Sequence, residues 1–123
     1  IINIASIDSL HPSMVGLAAY DSSKGGVLMF TRAFALEMAQ HRVNGNATAP
    51  GGIATVGSAA PLLGSGMTEA DMKAMTEQFI AGIPLKRMGE PDDIATVAVF
   101  LASQASDYMT GELVVVDGGA LLT

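Results

Sequence analysis

The chain has 123 residues, half of them apolar, a formal charge of −6 and a pI near 4.5. That suffices for one small domain with its own core and argues against disorder, while an acidic chain poor in Lys and Arg makes nucleic acid and anionic membranes unsuitable partners. The absence of cysteine rules out a disulfide scaffold and thiolate chemistry and fits a reducing, cytoplasmic setting.

Ile1-Ile2-Asn3-Ile4-Ala5 is a short apolar run of the kind buried on both faces of a parallel sheet. It carries neither Met nor a basic n-region, so it reads as a strand rather than a secretory leader. The expectation is a piece of a longer protein. Ser6 to Gly16 reads as a loop broken by Asp8, Ser9, Pro12, Ser13 and Gly16. A long helix is expected from Ala18 to Gln40, where Val27, Leu28, Phe30, Thr31, Phe34, Ala35 and Met38 recur at helical spacing. Gly25-Gly26 weakens that helix relative to alanine and suggests close packing against another helix or a ligand. Val43 to Ala49 is a second strand, stopped by Pro50-Gly51-Gly52, and residues 53 to 66 read as an irregular loop. Thr68 can cap a helix running to Ala81, with Glu69 and Asp71 favourable in its first turn. Glu90-Pro91-Asp92-Asp93 opens a further helix to about Ser103. Leu113 to Val116 is a third strand, ended by Asp117-Gly118-Gly119. Strands alternating with helices imply crossover connections and a parallel sheet. No G-x-G-x-x-G turn follows a strand, so a phosphate-binding half is expected to lie outside these residues.

Within the long helix, Tyr20 and Lys24 stand at i and i+4, on one face and one turn apart. A phenol ordinarily ionises near pH 10; an ammonium beside it favours the phenolate, which suits general acid/base work. On spacing alone, a solvated surface pair is the favoured reading. Ser6, then Tyr20-x-x-x-Lys24, then Asn46-Ala47-Thr48-Ala49-Pro50-Gly51-Gly52-Ile53-Ala54-Thr55 appear in that order. They are followed by Pro84-Leu85-Lys86-Arg87-Met88-Gly89-Glu90-Pro91-Asp92-Asp93 and by Val114-Val115-Val116-Asp117-Gly118-Gly119. Together these segments resemble the C-terminal half of a short-chain dehydrogenase/reductase, over essentially the whole chain.

The resemblance implies an α/β fold, the C-terminal portion of a Rossmann-type doubly wound parallel sheet, with residues 1–123 forming part of a single oxidoreductase domain. It implies NAD or NADP as cofactor and a secondary alcohol, a sugar, polyol or similar, exchanged with its ketone. Tyr20 would be the acid/base, Lys24 would assist it and bond the nicotinamide ribose, and Ser6 would hydrogen-bond the substrate oxygen, with Ser9 as the alternative. Pro50, Gly51, Ile53 and Thr55 would meet the cofactor, Ile53 through its backbone at the nicotinamide carboxamide. Asp8 and Gly52, with His11 and Met14 nearby, would line the substrate pocket, and residues 54 to 82, which hold Met67, Met72 and Met75, would form a substrate lid. The long helix and the helix after Pro91 resemble surfaces that build homodimers or tetramers. The alternative is a dehydrogenase-like piece, truncated or inactive, that acts only in binding or assembly. Other chemistries fit less well. Ser6, Asp8 and His11 sit in too short a loop for a hydrolase triad and lack a G-x-S-x-G elbow. Two histidines without cysteines or clustered carboxylates make no metal site. Asn46-Ala47-Thr48 matches a glycosylation acceptor but lies in an expected strand.

Overall fold

The computed structural model describes residues 1–57 and 66–123. Three parallel strands form one sheet in the order β1 (Ile2–Ile4), β2 (Asn46–Pro50), β3 (Leu113–Val116). Ile2 pairs with Asn46 and Ile4 with Thr48, while Ala47 pairs with Leu113 and Pro50 with Val116. The β1 to β2 connection carries helix α1 (Ala18–Met38). The β2 to β3 connection carries α2 (Glu69–Gly82) and α3 (Pro91–Leu101). This is the Rossmann-type arrangement expected from the alternation of elements.

The core is centred on β2, where Asn46, Ala47, Thr48 and Ala49 are all at most 2% exposed. Successive strand residues point to opposite faces, so β2 is covered on both. Among the described strands β1 lies at the edge, where Ile1 and Ile4 are 60% and 48% exposed. Helix α1 turns Leu28, Thr31 and Ala35 inward at the i, i+3, i+7 spacing of a buried stripe, and packs on β1 and β2. Thr31 is fully buried; its hydroxyl donates to Val27 O (2.8 Å) and accepts from Asn3 Nδ2 (2.9 Å).

Boundaries shift for identifiable reasons. Helix α1 ends at Met38, and a 3-10 turn over Ala39–His41 leads to Arg42 in the left-handed region at φ 56°. That reversal delays β2, so Val43 to Gly45 lie outside the strand and Pro50 falls inside it. Thr68 caps α2 by accepting from Asp71 N. Helix α3 stops at Leu101, short of Ser103, and Ser103 caps a 3-10 turn over Gln104–Ser106. The expected loop after Ser6 contains a 3-10 turn at Ile7–Ser9. A side chain at Gly25 or Gly26 would meet nothing within 4 Å among the described residues, so no helix or loop described here packs closely on them. Of the expected loop at 53 to 66, Val56 and Gly57 are helical and residues 58–65 lie outside the described residues.

Candidate functional site

The β1–β2 ladder reaches Ala5, whose N–H donates to Thr48 O (2.8 Å). Ser6 is the next residue, at the carboxyl edge of the sheet, where ligands of open α/β sheets bind. Ser6 is 5% exposed. Its hydroxyl accepts from Asp8 N (3.2 Å) and donates to Asp8 Oδ2 (3.1 Å). Ser9 Oγ donates to the Ser6 carbonyl (2.6 Å), so the Ser9 hydroxyl is committed to backbone. Asp8 Oδ1 is shielded from solvent and has no hydrogen-bond partner among the described residues. His11 and Met14 are exposed.

The start of α1 packs on this 3-10 turn. Tyr20 lies in its first turn, 43% exposed. One turn on, Lys24 Nζ donates to Ile4 O (3.0 Å) and stands 5.7 Å from the centre of the Tyr20 ring, within cation–π range. Lys24 therefore pins the amino-terminal turns of α1 to the last residue of β1. Ser6, Tyr20 and Lys24 thus gather at one corner, although Ser6 Oγ is bonded within its own loop.

The second cluster follows β2. Gly51 N donates to Val116 O (3.0 Å), and a Cβ on Gly51 would lie 2.8 Å from Asp117 Cα. A Cβ on Gly52 would overlap the ring of Phe79 from α2. Ile53 forms a parallel bridge with Gly89: Gly89 N donates to Gly52 O (2.9 Å) and Ala54 N to Gly89 O (2.8 Å). In such a bridge the N–H and C=O of the middle residue face the opposite side. Those of Ile53 have no hydrogen-bond partner among the described residues. Thr55 is exposed on the same turn.

Sequence reasoning missed what holds this turn. Arg87 grips Asp93 with two bonds, Nη1 to Oδ2 (2.7 Å) and Nη2 to Oδ1 (2.9 Å), and also donates to Met88 O (3.0 Å). Asp93 Oδ2 accepts from Glu90 N as well (2.7 Å). The Arg87 guanidinium, then the Glu90 N–H, hold the Asp93 carboxyl down at about 2, and Asp93 raises Arg87 in turn. Gly52, Ile53, Arg87, Gly89, Asp93 and Asp117 help to line a cavity of about 150 Å³. The only available signal was the acidic first turn of α3; nothing in it names Arg87 as the partner.

A family model described as Enoyl-(Acyl carrier protein) reductase matches residues 1–120. The chain belongs to the short-chain dehydrogenase/reductase family. It is 40% identical over 119 residues to the 3-oxoacyl-(acyl-carrier-protein) reductase FabG of Chlamydia pneumoniae, covering 97% of this chain and 44% of that protein. It is 41% identical over 121 residues to the 2-dehydro-3-deoxy-D-gluconate 5-dehydrogenase of Bacillus subtilis, covering 98% and 44%. Among solved structures, a candidate NAD(P)-dependent gluconate 5-dehydrogenase from Beutenbergia cavernae with bound NADP superposes with a TM-score of 0.85. That protein shares 39% identity, over 100% of this chain and 46% of the other. The acetoin dehydrogenase YohF from Salmonella typhimurium gives 0.77 at 30% identity, over 100% and 43%. This short-chain dehydrogenase/reductase chain thus spans less than half the length of the relatives it matches. Among its described residues no helix is long and apolar enough to cross a membrane.

Proposed function

We propose that the full-length protein is an NAD(P)-dependent oxidoreductase that interconverts a secondary alcohol, of sugar or polyol type, and its ketone. The observation that carries this reading is the Lys24 bond to Ile4 O, which fixes Tyr20 and Lys24 together beside Ser6 at the carboxyl edge of the sheet. The turn after β2 fits a nicotinamide: the free N–H and C=O of Ile53 match the acceptor and donor of a carboxamide, and Gly51 and Gly52 leave the backbone bare. Pro50, Gly51, Ile53 and Thr55 would hold that end of the cofactor, and Tyr20 and Lys24 its ribose.

When bound, the nicotinamide takes up or returns the hydride of the alcohol carbon. Tyr20 Oη accepts the alcohol proton in one direction and gives it back in the other. To serve the substrate, the Ser6 hydroxyl turns its proton from Asp8 Oδ2 to the substrate oxygen and steadies the charge that develops there, while Asp8 N–H still holds Ser6 Oγ in place. Asp8 and Gly52 line the substrate side. In this reading residues 1–123 are the C-terminal part of one Rossmann-type domain of a cytoplasmic protein. The apolar residues Met29, Phe30 and Leu36 of α1 and Val99 of α3, all more than half exposed, are covered by like chains in a dimer or tetramer.

The test is Tyr20→Phe in the full-length protein, assayed with a panel of sugar acids, polyols and 3-oxoacyl thioesters. The expected loss in kcat/KM is about a hundred- to ten-thousandfold, with nucleotide binding weakened no more than about five- to tenfold by the lost ribose bond. Undiminished activity would remove Tyr20 from the chemistry. Wild-type protein that turns over nothing in the panel, yet self-associates, would favour the binding-only alternative.

A further inference from the structure

The Ile53 backbone can serve a ligand only if the Gly52–Ala54 segment is held in place, and β2 does not reach that far: the strand ends at Pro50. Beyond it, the segment is secured by the two bonds to Gly89, Gly89 N to Gly52 O and Ala54 N to Gly89 O. Gly89 itself belongs to no strand. It sits in the seven-residue loop that Arg87 and Asp93 close from either end. Within that loop Arg87 also holds the Met88 carbonyl and Asp93 the Glu90 N–H, the peptide groups on both sides of Gly89. The fit at Gly89 is tight, since a Cβ there would lie 2.5 Å from Ile53 Cδ1.

We propose that Arg87 and Asp93 are positioning residues for the cofactor. Their two-bond pairing sets Gly89, Gly89 sets the Gly52–Ala54 backbone, and the free N–H and C=O of Ile53 are thereby aimed at the carboxamide of a nicotinamide. This rests on the proposed function. A fork-to-fork arginine–carboxylate pair fixes geometry as well as energy, which a lysine in place of Arg87 would not reproduce. The side chains are 54% and 32% exposed, and an ion pair so open to water adds little to global stability. Its effect is therefore local, on the loop it closes.

The experiment compares wild type, Arg87→Lys, Asp93→Asn and the swapped double variant R87D/D93R in the full-length protein. The first readout is amide hydrogen exchange without nucleotide. The single variants should speed exchange at Gly89 and Ala54 while the amides of β2 stay protected, and the swap, which rebuilds the ion pair but neither the bond to Met88 O nor the one from Glu90 N, should restore protection only in part. The second readout is the affinity for NADH and NADPH beside ADP-ribose and its 2′-phosphate, which lack the nicotinamide. The single variants should bind the dinucleotides about five- to tenfold more weakly, the worth of one hydrogen bond, and the ribose probes unchanged. Unaltered exchange and dinucleotide affinity would overturn the clamp alone, as would equal weakening toward all four probes. Wild type that binds none of the probes would overturn the proposed function, and the nucleotide role of the clamp with it.

Discussion

Two corners of the sheet's carboxyl edge are built in opposite ways. At the end of β1, side chains carry the arrangement: Lys24 reaches a strand carbonyl, Tyr20 lies under its ammonium, and Ser6 is tied to Asp8 within its own loop. After β2, backbone carries it: Pro50 to Ala54 are placed by Val116 and Gly89, and a peptide N–H and C=O are left without a partner among the described residues. A corner made of side chains can be broken by removing single functional groups. A corner made of backbone is broken by adding atoms or by loosening what holds it. The first corner suits proton transfer, the second the recognition of a planar amide.

The largest expected effect is at the first corner, where Tyr20→Phe removes the oxygen proposed to carry the proton. Next, Lys24→Met deletes the bond to Ile4 O and frees the start of α1; a displacement on the ångström scale at Tyr20 should lower kcat about a hundredfold. The second corner answers to added bulk. Gly51→Ala drives its Cβ against the backbone of Asp117, which cannot move aside, whereas Gly52→Ala meets the ring of Phe79, 46% exposed and free to turn away. Denaturant melts should show Gly51→Ala destabilised by about 1–3 kcal/mol and Gly52→Ala by less. Beneath the first corner, Thr31→Val leaves Asn3 Nδ2 without its partner and should lose about 1–3 kcal/mol in the same melts.

The smallest effect is that of pH on the clamp. Asp93 has its carboxyl held at about 2 in the folded chain, against 3.8 ordinarily. A depressed carboxylate adds stability above its unfolded value and loses it as pH falls through the folded one. Protection of Gly89 and Ala54 from exchange should therefore be constant above about pH 4 and decline between about pH 4 and 2. In Asp93→Asn that acid decline should be absent.

The two corners also differ in how far the sequence reveals them. Tyr20 and Lys24 are four residues apart on a helix, so 3.6-residue periodicity brings them together before any tertiary contact is known. Leu28, Thr31 and Ala35 were legible as core for the same reason. The β2 corner depends on Ile53 meeting Gly89 and on Arg87 meeting Asp93 across a loop, and no local period encodes either pairing. The start of β2 was misread at Val43 because its apolar, β-branched side chain favours a strand, while the left-handed turn at Arg42 and the connection through Gly45 hold it outside the ladder.

In the proposed chemistry Tyr20, pinned by Lys24, carries the proton of an alcohol–ketone exchange. The most direct measurement is the single-turnover rate of nicotinamide oxidation or reduction in full-length wild type and Tyr20→Phe, at saturating nucleotide and with an active substrate from the panel. The single-turnover rate should be at least about a hundredfold lower in Tyr20→Phe even with nucleotide saturating. Equal single-turnover rates in the two proteins would contradict that role for Tyr20.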